Sequence, residues 1–306
     1  MKLLPFLQLI RWQTLVVIAL TQYLIKYFLF APFQIDTSLG DLEFSILVLA
    51  SLCIAAAGNI ILNIHNVAAD SINKPKRVVI GSVITEKTGY NWFLALNILG
   101  VGLGFYLANY INQPGFSGFF ILASAMLYLH AAQLKKIAVL GNLIPSLLMG
   151  FVILGVGIFD LLPAINRGNL VTQQVFFSIL ADYSLFVIMI TLLLEIVGAQ
   201  KDIQGHYNAG YSTLPIILGK QRTNRLIFLL TLFPLAAVVY YIYFYLFHSR
   251  AAVLYVLFLI VAPLLYFLIQ ILKAKTPKDF RSHSILLKGI LITGILSLGL
   301  YRFILI

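Results

Sequence analysis

Long apolar runs recur along the whole of this 306-residue chain, and no other feature limits its fold as strongly. Each run is about 20 residues long, the length that an α-helix needs to cross a hydrocarbon core about 30 Å thick. The runs are continuously apolar rather than alternating, which favours helices over the strands of a membrane barrel. Charged residues make up only 10% of the chain, too few to cover it with polar surface in water. We therefore predict an all-α, polytopic membrane protein.

Nine transmembrane helices are predicted from these runs, with eight or ten as the nearest alternatives. Their predicted bounds are 12–33, 44–65, 91–111, 116–134, 138–160, 173–198, 224–247, 251–272 and 285–305. An odd number of spans puts the two ends of the chain on opposite sides of the membrane. Each loop is thereby assigned to one side or the other.

Basic residues are distributed unevenly between the two sides. One side holds 17 of the 21 lysine and arginine residues, namely Lys2, Arg11, Lys74, Lys76, Arg77, Lys87, Lys135, Lys136, Lys201, Lys220, Arg222, Arg225, Lys273, Lys275, Lys278, Arg281 and Lys288. Basic loops are retained in the cytoplasm, so we expect an integral protein of the cytoplasmic (inner) membrane with its N-terminus in the cytoplasm. Topology and anionic membrane lipid explain the net charge of +11, and no nucleic acid is needed as a partner.

Two predicted cytoplasmic segments are dense in polar residues and follow the second and sixth spans. Segment A is residues 59–87, NIILNIHNVAADSINKPKRVVIGSVITEK. Segment B is residues 195–225, EIVGAQKDIQGHYNAGYSTLPIILGKQRTNR. Each has polar side chains on the last helical turns and then a loop. Their corresponding positions suggest a weak internal repeat, with the two loops facing each other across a bundle.

Oxygen-bearing side chains recur in segment A at intervals of four, three and four residues: Asn59, Asn63, Asn66 and Asp70. On a helix this spacing places them on one face. Carboxylate and amide oxygens suit a hard cation such as Mg²⁺. The positive charge that follows, on both sides of Pro75, is suited to binding phosphate and comes from Lys74, Lys76 and Arg77.

Segment B has a comparable pattern, in which Glu195, Asp202 and His206 follow one another at intervals of seven and four residues. Lys201 and Lys220 lie close to them in the sequence. The spacing in both segments is equally consistent with polar helix ends that bond one another and water at the membrane interface. Polar groups near membrane spans are costly and usually face a cavity, which favours a functional site.

Segment A resembles the first signature of the UbiA-type intramembrane prenyltransferases, in which N-D-x-x-D-x-x-x-D precedes R-I-N-K-P-x-R; the matching run here is SINKPKR at residues 71–77. Segment B resembles their second signature, in which aspartates precede G-x-x-T-L-P-x-x-x-G, here at residues 210–219. A third similarity is YLHAAQLKKIAVLGN at residues 128–142. The resemblance extends over essentially the whole chain. It implies a single UbiA-like domain of residues 1–306 with its helices around a central, lipid-accessible cavity.

The resemblance also implies an activity, the Mg²⁺-dependent transfer of a polyprenyl group from an isoprenoid diphosphate to a lipid or aromatic acceptor. The implied catalytic residues are Asp70, Asp202 and Lys135. The implied metal ligands are Asp70, Asp202 and Asn66. Substrate-binding roles are implied for Asn63, Asn66, Lys74, Arg77, Lys201 and His206.

The positions that bind metal depart from the family pattern. In segment A the opening asparagine position falls on Leu62 and the aspartate positions fall on Asn63, Asn66 and Asp70. In segment B the aspartate positions fall on Ala199, Asp202 and His206. Leucine and alanine have no ligand atom and asparagine has no charge, so we expect a weakened Mg²⁺ site.

Two hypotheses remain open at the level of sequence. The first is an active prenyltransferase that holds the diphosphate with one Mg²⁺ or mainly with Lys74, Arg77, Lys135 and Lys201. The second is a catalytically degenerate relative that binds a lipid or serves as a subunit of a membrane protein complex. A transporter is disfavoured, because few ionisable residues fall at mid-membrane and no pair of broken helices stands out. The acceptor (quinone-ring precursor, haem or glycerol phosphate lipid) and the prenyl chain length are left open.

Overall fold

The structure is a computed structural model and describes residues 3–304, so Lys2 and the last residue of the ninth predicted span lie outside the described residues. Its α-helices are α1 (Leu3–Leu9), α2 (Trp12–Leu24), α3 (Asp41–Asn73), α4 (Glu86–Tyr110), α5 (Ser117–Ala132), α6 (Leu140–Val156), α7 (Leu170–Lys201), α8 (Ile203–Asn208), α9 (Leu214–Leu218), α10 (Lys220–Tyr241), α11 (Arg250–Val256), α12 (Ala262–Ile271), α13 (Pro277–Leu296) and α14 (Tyr301–Ile304). The strands β1 (Ile137–Ala138) and β2 (Ser212–Thr213) are two residues long and parallel.

Several membrane helices continue through π-helical turns at Ile25–Phe30, Gly157–Leu161, Ile242–Leu246 and Leu257–Val261. Short 3-10 turns occur at Ala31–Phe33, Pro75–Arg77, Pro114–Phe116, Leu134–Lys136, Leu162–Ala164 and Ser297–Leu300. The π-turns lie within or at the ends of apolar helices, where they change the side-chain register without ending the span.

Within residues 3–304, nine helices are long and apolar enough to cross a membrane, which confirms the predicted all-α, polytopic architecture. They are Trp12–Phe33, Asp41–Asn73, Glu86–Tyr110, Pro114–Ala132, Leu140–Ala164, Leu170–Lys201, Lys220–Leu246, Arg250–Ile271 and Pro277–Leu300. The ninth helix begins eight residues before the predicted start at residue 285. The early start has a local cause, since Thr276 and Asp279 form a capping box around Pro277.

The second and sixth spans contain the longest helices, α3 with 33 residues and α7 with 32 residues. At 1.5 Å per residue each is about 50 Å long, well beyond a hydrocarbon core of about 30 Å. The additional turns belong to segments A and B. The helices therefore carry the polar residues of both segments out of the apolar region.

The Cα positions group into two compact units. The first comprises the residues up to Tyr23 together with Gln34–Lys135 and Phe151–Ala181. In this unit α3 packs against α4 and α5, and small residues allow the close approach, as where Gly58 contacts Leu127. The loop before α3 is held by Asp160, whose fully buried carboxylate accepts a hydrogen bond from the Leu39 N–H at 2.8 Å.

Gly104 of α4 lies in close contact with the neighbouring helix α5. A Cβ atom there would lie 2.2 Å from Cδ2 of Phe120 on the neighbouring segment, whereas a Cβ at Gly102 on the same helix would meet nothing within 4 Å. We expect Gly104→Ala to destabilise the protein by about 1–3 kcal/mol, because the core cannot accept the added methyl group without shifting. Gly102→Ala is the matched control and should be neutral or slightly stabilising, since alanine favours helix. Thermal unfolding of both variants in detergent tests this, and equal midpoints would contradict it.

The second unit comprises Leu24–Phe33, Lys136–Gly150 and the residues from Asp182 onward. In it α10 and α13 each pack against α12. A buried polar chain joins three of its elements: Gln200 donates to Oδ1 of Asn224 at 2.8 Å, and Asn224 donates to the carbonyl of Ala274 at 2.8 Å. These bonds tie the end of α7 to the start of α10 and to the turn after α12. Segment B is thereby fixed at both of its ends.

Candidate functional site

Segment A begins on α3 and leaves the helix at Asn73. Lys74 ends the helix, its N–H bonded to the carbonyl of Asp70 at 2.7 Å, and it takes a non-helical conformation with φ −148°. Pro75 causes this, because a residue that precedes proline is disfavoured in the α region. The 3-10 turn Pro75–Arg77 then presents Lys76 and Arg77 at the surface.

Two of the four aligned oxygen-bearing residues serve to anchor the first helix. The side-chain amide of Asn59 donates to the carbonyl of Ile10 at 3.0 Å, and that of Asn63 donates to the carbonyls of Leu9 at 3.1 Å and of Asn59 at 2.8 Å. The bonds to Ile10 and Leu9 satisfy carbonyl groups at the C-terminal end of α1. The amide nitrogen of Asn63 has a structural role, and the predicted role of its oxygen in substrate binding stays a prediction.

Lys135 and Asn66 form a short polar contact at segment A. The ammonium group of Lys135 donates to Oδ1 of Asn66 at 2.6 Å, and Lys135 is only 8% exposed. Lys135 lies in the 3-10 turn after α5, 69 residues away from Asn66 along the chain. A protein cation therefore contacts the oxygen that was predicted to bind metal, and the metal role of Asn66 stays a prediction. The sequence pattern identified both residues but did not pair them.

Both carboxylates of the predicted site have a lysine neighbour. Asp70 lies 3.7 Å from the ammonium of Lys74, one helical turn away, and Asp202 lies 3.8 Å from the ammonium of Lys201. These distances exceed hydrogen-bond length, so neither carboxylate is held tightly by its lysine. The side chain of Asp70 is 22% exposed, whereas Asp202 is a buried residue whose side chain is 12% exposed.

In segment B the long helix α7 is followed by the short helix α8 and then by a turn. Helix α7 ends at Lys201, Asp202 occupies the N-cap position of the short helix α8, and Gly210 ends the turn with φ +73°. The ring of His206 stacks on the ring of Tyr211 with centroids 5.3 Å apart. His206 is thus oriented by an aromatic neighbour, and its predicted role in substrate binding stays a prediction.

The S-T-L-P part of segment B is held by the two-residue sheet. Ile137 pairs with Ser212 and Ala138 pairs with Thr213 in a parallel ladder, directly after the Lys135–Lys136 turn in the chain. Thr213 is then the N-cap of α9, and Pro215 lies in the first turn of that helix. Two motifs that are far apart in the sequence are therefore joined through backbone hydrogen bonds of the second unit.

The two positions that lost a ligand atom are partly or fully buried in the structure. Leu62 packs on the hydrophobic cluster that includes Ile61 and Ile64 of the first unit, and Ala199 in the second unit is 6% exposed. Sequence reasoning missed the buried polar residues that position segment B, Gln200 and Asn224. The sequence feature that could have identified them is a polar side chain at the end of an apolar membrane helix.

The residues of the predicted site suit Mg²⁺ that is bound together with substrate phosphates, and they do not suit Mg²⁺ that is held by protein ligands alone. Between residues 3 and 304, no three His, Cys, Asp or Glu side chains lie close enough to hold a metal ion by themselves. Mg²⁺ is, however, commonly bound by one or two carboxylates together with substrate phosphates. Asp70 and Asp202 are carboxylates of the kind that this second mode uses. A metal cage built by the protein alone does not fit.

Comparison with known proteins decides the family. The model of the UbiA prenyltransferase family matches residues 15–289, and this match includes both segments. The chain belongs to the UbiA prenyltransferase family. It is therefore a prenyltransferase and an integral, multi-pass membrane protein, as the sequence predicted.

Curated relatives of this UbiA protein include digeranylgeranylglyceryl phosphate synthases. The one from Korarchaeum cryptofilum is 31% identical over 272 residues, which are 88% of this chain and 89% of that protein. The one from Methanoregula boonei is 27% identical over 207 residues, 65% of this chain and 66% of that protein.

Solved structures share the fold. A digeranylgeranylglyceryl phosphate synthase matches 97% of this chain and 99% of its own chain with a TM-score of 0.66 and 22% identity. A UbiA homologue from Archaeoglobus fulgidus, bound to GPP and Mg²⁺, matches 96% of this chain and 99% of its own chain with a TM-score of 0.57 and 16% identity. At these identities the likeness supports the nine-helix fold and nothing finer.

Proposed function

We propose that this chain transfers a polyprenyl group from an isoprenoid diphosphate to a prenylated glycerol phosphate lipid. The observation that carries the proposal is the 31% identity with a digeranylgeranylglyceryl phosphate synthase over 88% of the chain. That enzyme is named for a glycerol phosphate bearing two geranylgeranyl groups. Among the acceptors that the sequence left open, the relatives therefore favour glycerol phosphate lipid over a quinone-ring precursor or haem.

In this proposal the diphosphate is bound by Lys135, in the turn after α5, and by basic side chains of segments A and B. Lys135 is its main cation, because it is almost buried and oriented by Asn66, so that little side-chain entropy is lost on binding. Lys74, Arg77 and Lys201 add positive charge from more exposed positions. Charge-assisted hydrogen bonds to phosphate are about twice as strong as neutral ones, which favours a site of this composition.

The transfer needs departure of the diphosphate and attack by a hydroxyl group. The bond between C1 of the prenyl group and the diphosphate oxygen breaks, and both electrons leave with the diphosphate. The acceptor hydroxyl oxygen bonds to C1 to give an ether, and its proton passes to the released diphosphate. In this proposal Lys135 stabilises the charge that develops on the leaving group, and Lys74, Arg77 and Lys201 add to this effect. Asp70 or Asp202 would help to hold Mg²⁺, which would supply further charge neutralisation.

We place the proposed reaction at the cytoplasmic face of the inner membrane. The support is the predicted excess of basic residues on the side of segments A and B, together with the positive-inside rule. A cysteine introduced in the loop after α3, such as Ser82→Cys, is expected to react with an impermeant maleimide only in inverted membrane vesicles. Labelling in intact, right-side-out cells would place the segments on the other side.

The proposed acceptor is tested with the purified full chain in detergent or nanodiscs. Radiolabelled geranylgeranyl diphosphate is supplied with geranylgeranylglyceryl phosphate or with a hydroxybenzoate, each with and without Mg²⁺. We expect labelled ether lipid from the first acceptor and no product from the second. Product from the hydroxybenzoate alone would overturn the acceptor assignment. A different result would be that no product forms with either acceptor, or with any other prenyl diphosphate as donor, while a lipid copurifies with the protein. That result would support the non-catalytic alternative.

A further inference from the structure

Asp182 is a carboxylate inside the sixth membrane span, in the second unit. It lies 12 residues after the start of α7 and 13 residues before segment B, which is about 20 Å away along the helix. The residue is exposed, and its carboxylate has no hydrogen bond and no ion pair to any residue between 3 and 304. A charged side chain within a membrane span is costly and usually has a functional partner. Asp182 is therefore a candidate binding site, in the half of the bilayer opposite to segment B.

The neighbouring helix α10 indicates the depth of Asp182 in the membrane. Helices α7 and α10 belong to consecutive spans and run in opposite directions, and Met189 of α7 lines one groove with Phe233 of α10. Seven residues from each of these, about two turns further from segment B, lie Asp182 and Tyr240. Tyr240 and Tyr243 are 56% and 70% exposed, as is typical of tyrosines at a membrane interface. Asp182 is therefore within reach of lipid headgroups.

Phenol groups of the second unit lie near Asp182. The side chains of Tyr183, Tyr241 and Tyr301 are within electrostatic range of its carboxylate. The hydroxyl groups of Tyr241 and Tyr301 bond each other, and that of Tyr183 bonds Oγ of Ser297 at 2.8 Å. Each phenol thus has its partner inside the protein, and none of these bonds is made to Asp182. A carboxylate beside aromatic rings favours a cation as its ligand.

An apolar groove of about 250 Å³ lies between α7 and α10 and is lined by Met189, Leu192, Leu230 and Phe233. It begins about two helical turns from Asp182 and continues towards segment B. A negative charge near the interface is thus followed by apolar surface deeper in the membrane. This order suits a lipid that has a cationic headgroup above a hydrocarbon chain. A helix of a partner protein, about 10 Å wide, needs a broader surface than this groove.

We propose that Asp182 and this groove bind a phospholipid with a primary ammonium headgroup, in the leaflet opposite to segment B. The ammonium group donates to the carboxylate of Asp182 and lies beside the ring of Tyr240, and one acyl chain lies in the groove along Met189 and Phe233. A headgroup without a cation leaves the carboxylate without a partner. The proposal does not depend on the proposed transfer reaction, because Asp182 lies about 20 Å along α7 from the start of segment B.

Native mass spectrometry of the full chain with phosphatidylethanolamine and phosphatidylglycerol of identical acyl chains tests the proposal. We expect one molecule of phosphatidylethanolamine to be retained about tenfold more strongly, the effect of one hydrogen bond between charged groups. The chain has a net charge of +11, so nonspecific attraction would favour the anionic phosphatidylglycerol instead. Equal retention of the two lipids, or a preference for phosphatidylglycerol, would overturn the proposal. A dimer that dissociates when Asp182 is replaced would also overturn it, since a second copy would then occupy this surface.

Two variants assign the effect to Asp182. Asp182→Asn keeps the shape of an exposed side chain and removes its charge, so the preference for phosphatidylethanolamine should disappear. Asp41→Asn is the matched control, because Asp41 is an exposed carboxylate in the first turn of α3, and it should keep the preference. Equal loss in both variants would show a general charge effect and refute the site. Glycerophosphoethanolamine, which has the headgroup without acyl chains, should not displace the lipid at equal concentration; if it does, the groove has no part in binding and the lipid site is refuted.

Discussion

Replacement of Lys135 by methionine is expected to lower kcat/KM for prenyl transfer by about 100-fold, the loss typical of removing one preorganised donor to a developing negative charge. Methionine has nearly the same length and removes only the charge and the donors. The ammonium of Lys135 is held 2.6 Å from Asn66 and is nearly buried, so no flexible surface lysine can take its place. Steady-state rates with radiolabelled prenyl diphosphate measure the change.

Lys136→Met is the matched control, because Lys136 is the next residue in the same turn and is exposed. It should retain at least about half of the wild-type rate, as expected for a screened surface charge. Lys135→Arg should recover part of the activity if charge is what matters. A structural role would lower the thermal midpoint of Lys135→Met along with its rate. Wild-type kinetics in the Lys135→Met variant would remove Lys135 from the diphosphate site.

Replacement of either aspartate by its isosteric amide is the second change with a large expected effect. We expect Asp70→Asn and Asp202→Asn each to lower Mg²⁺-dependent product formation by about 100-fold, because a neutral oxygen is a much weaker ligand for diphosphate-bound Mg²⁺ than a carboxylate. The Mg²⁺ concentration that gives half-maximal rate should rise in both variants. Glu86→Gln in the first turn of α4 is a matched control, since Glu86 is an exposed carboxylate of the same unit as Asp70.

The lysine neighbours of the two aspartates make this experiment decisive. Lys74 lies 3.7 Å from Asp70, and Lys201 lies 3.8 Å from Asp202. If the diphosphate were bound by lysines alone, each amide variant would remove the negative charge next to its lysine. Activity would then stay the same or rise, and it would not depend on Mg²⁺. That outcome would contradict the metal role of both aspartates and favour a site of cations only.

Much of the fold was predictable because membrane spans are a local property of the chain. A run of about 20 apolar residues has to form its backbone hydrogen bonds within itself, so hydropathy alone predicted nine helices. Two bounds were wrong by eight residues: the second span ends at Asn73 instead of residue 65, and the ninth helix begins at Pro277, so that polar residues 277–284 were assigned to a loop. The T-P-K-D sequence at residues 276–279 is a helix start that does not depend on hydropathy, and it overrides the polar composition.

The candidate site was predictable only in its list of residues. Spacing placed Asn59, Asn63 and Asn66 on one face of α3, and the structure has them on that helix. The spacing did not predict which residue each asparagine side chain contacts. Asn59 and Asn63 bind the end of α1, and Asn66 binds Lys135. Similar side chains one turn apart therefore have different partners, because a different element packs over each turn of the helix.

The sequence by itself determined that the protein is a nine-helix membrane protein, which two segments carry its polar residues, and that several aspartate positions of the family pattern are absent. Helical periodicity and hydropathy depend on residues within a few turns of one another, so both can be recognised in a single amino-acid sequence. The partner of Lys135, the buried chain through Gln200 and Asn224, and the groove between α7 and α10 were decided only by tertiary structure. Each joins residues that are distant in the chain or depends on the packing of two helices, and no local pattern specifies such a contact.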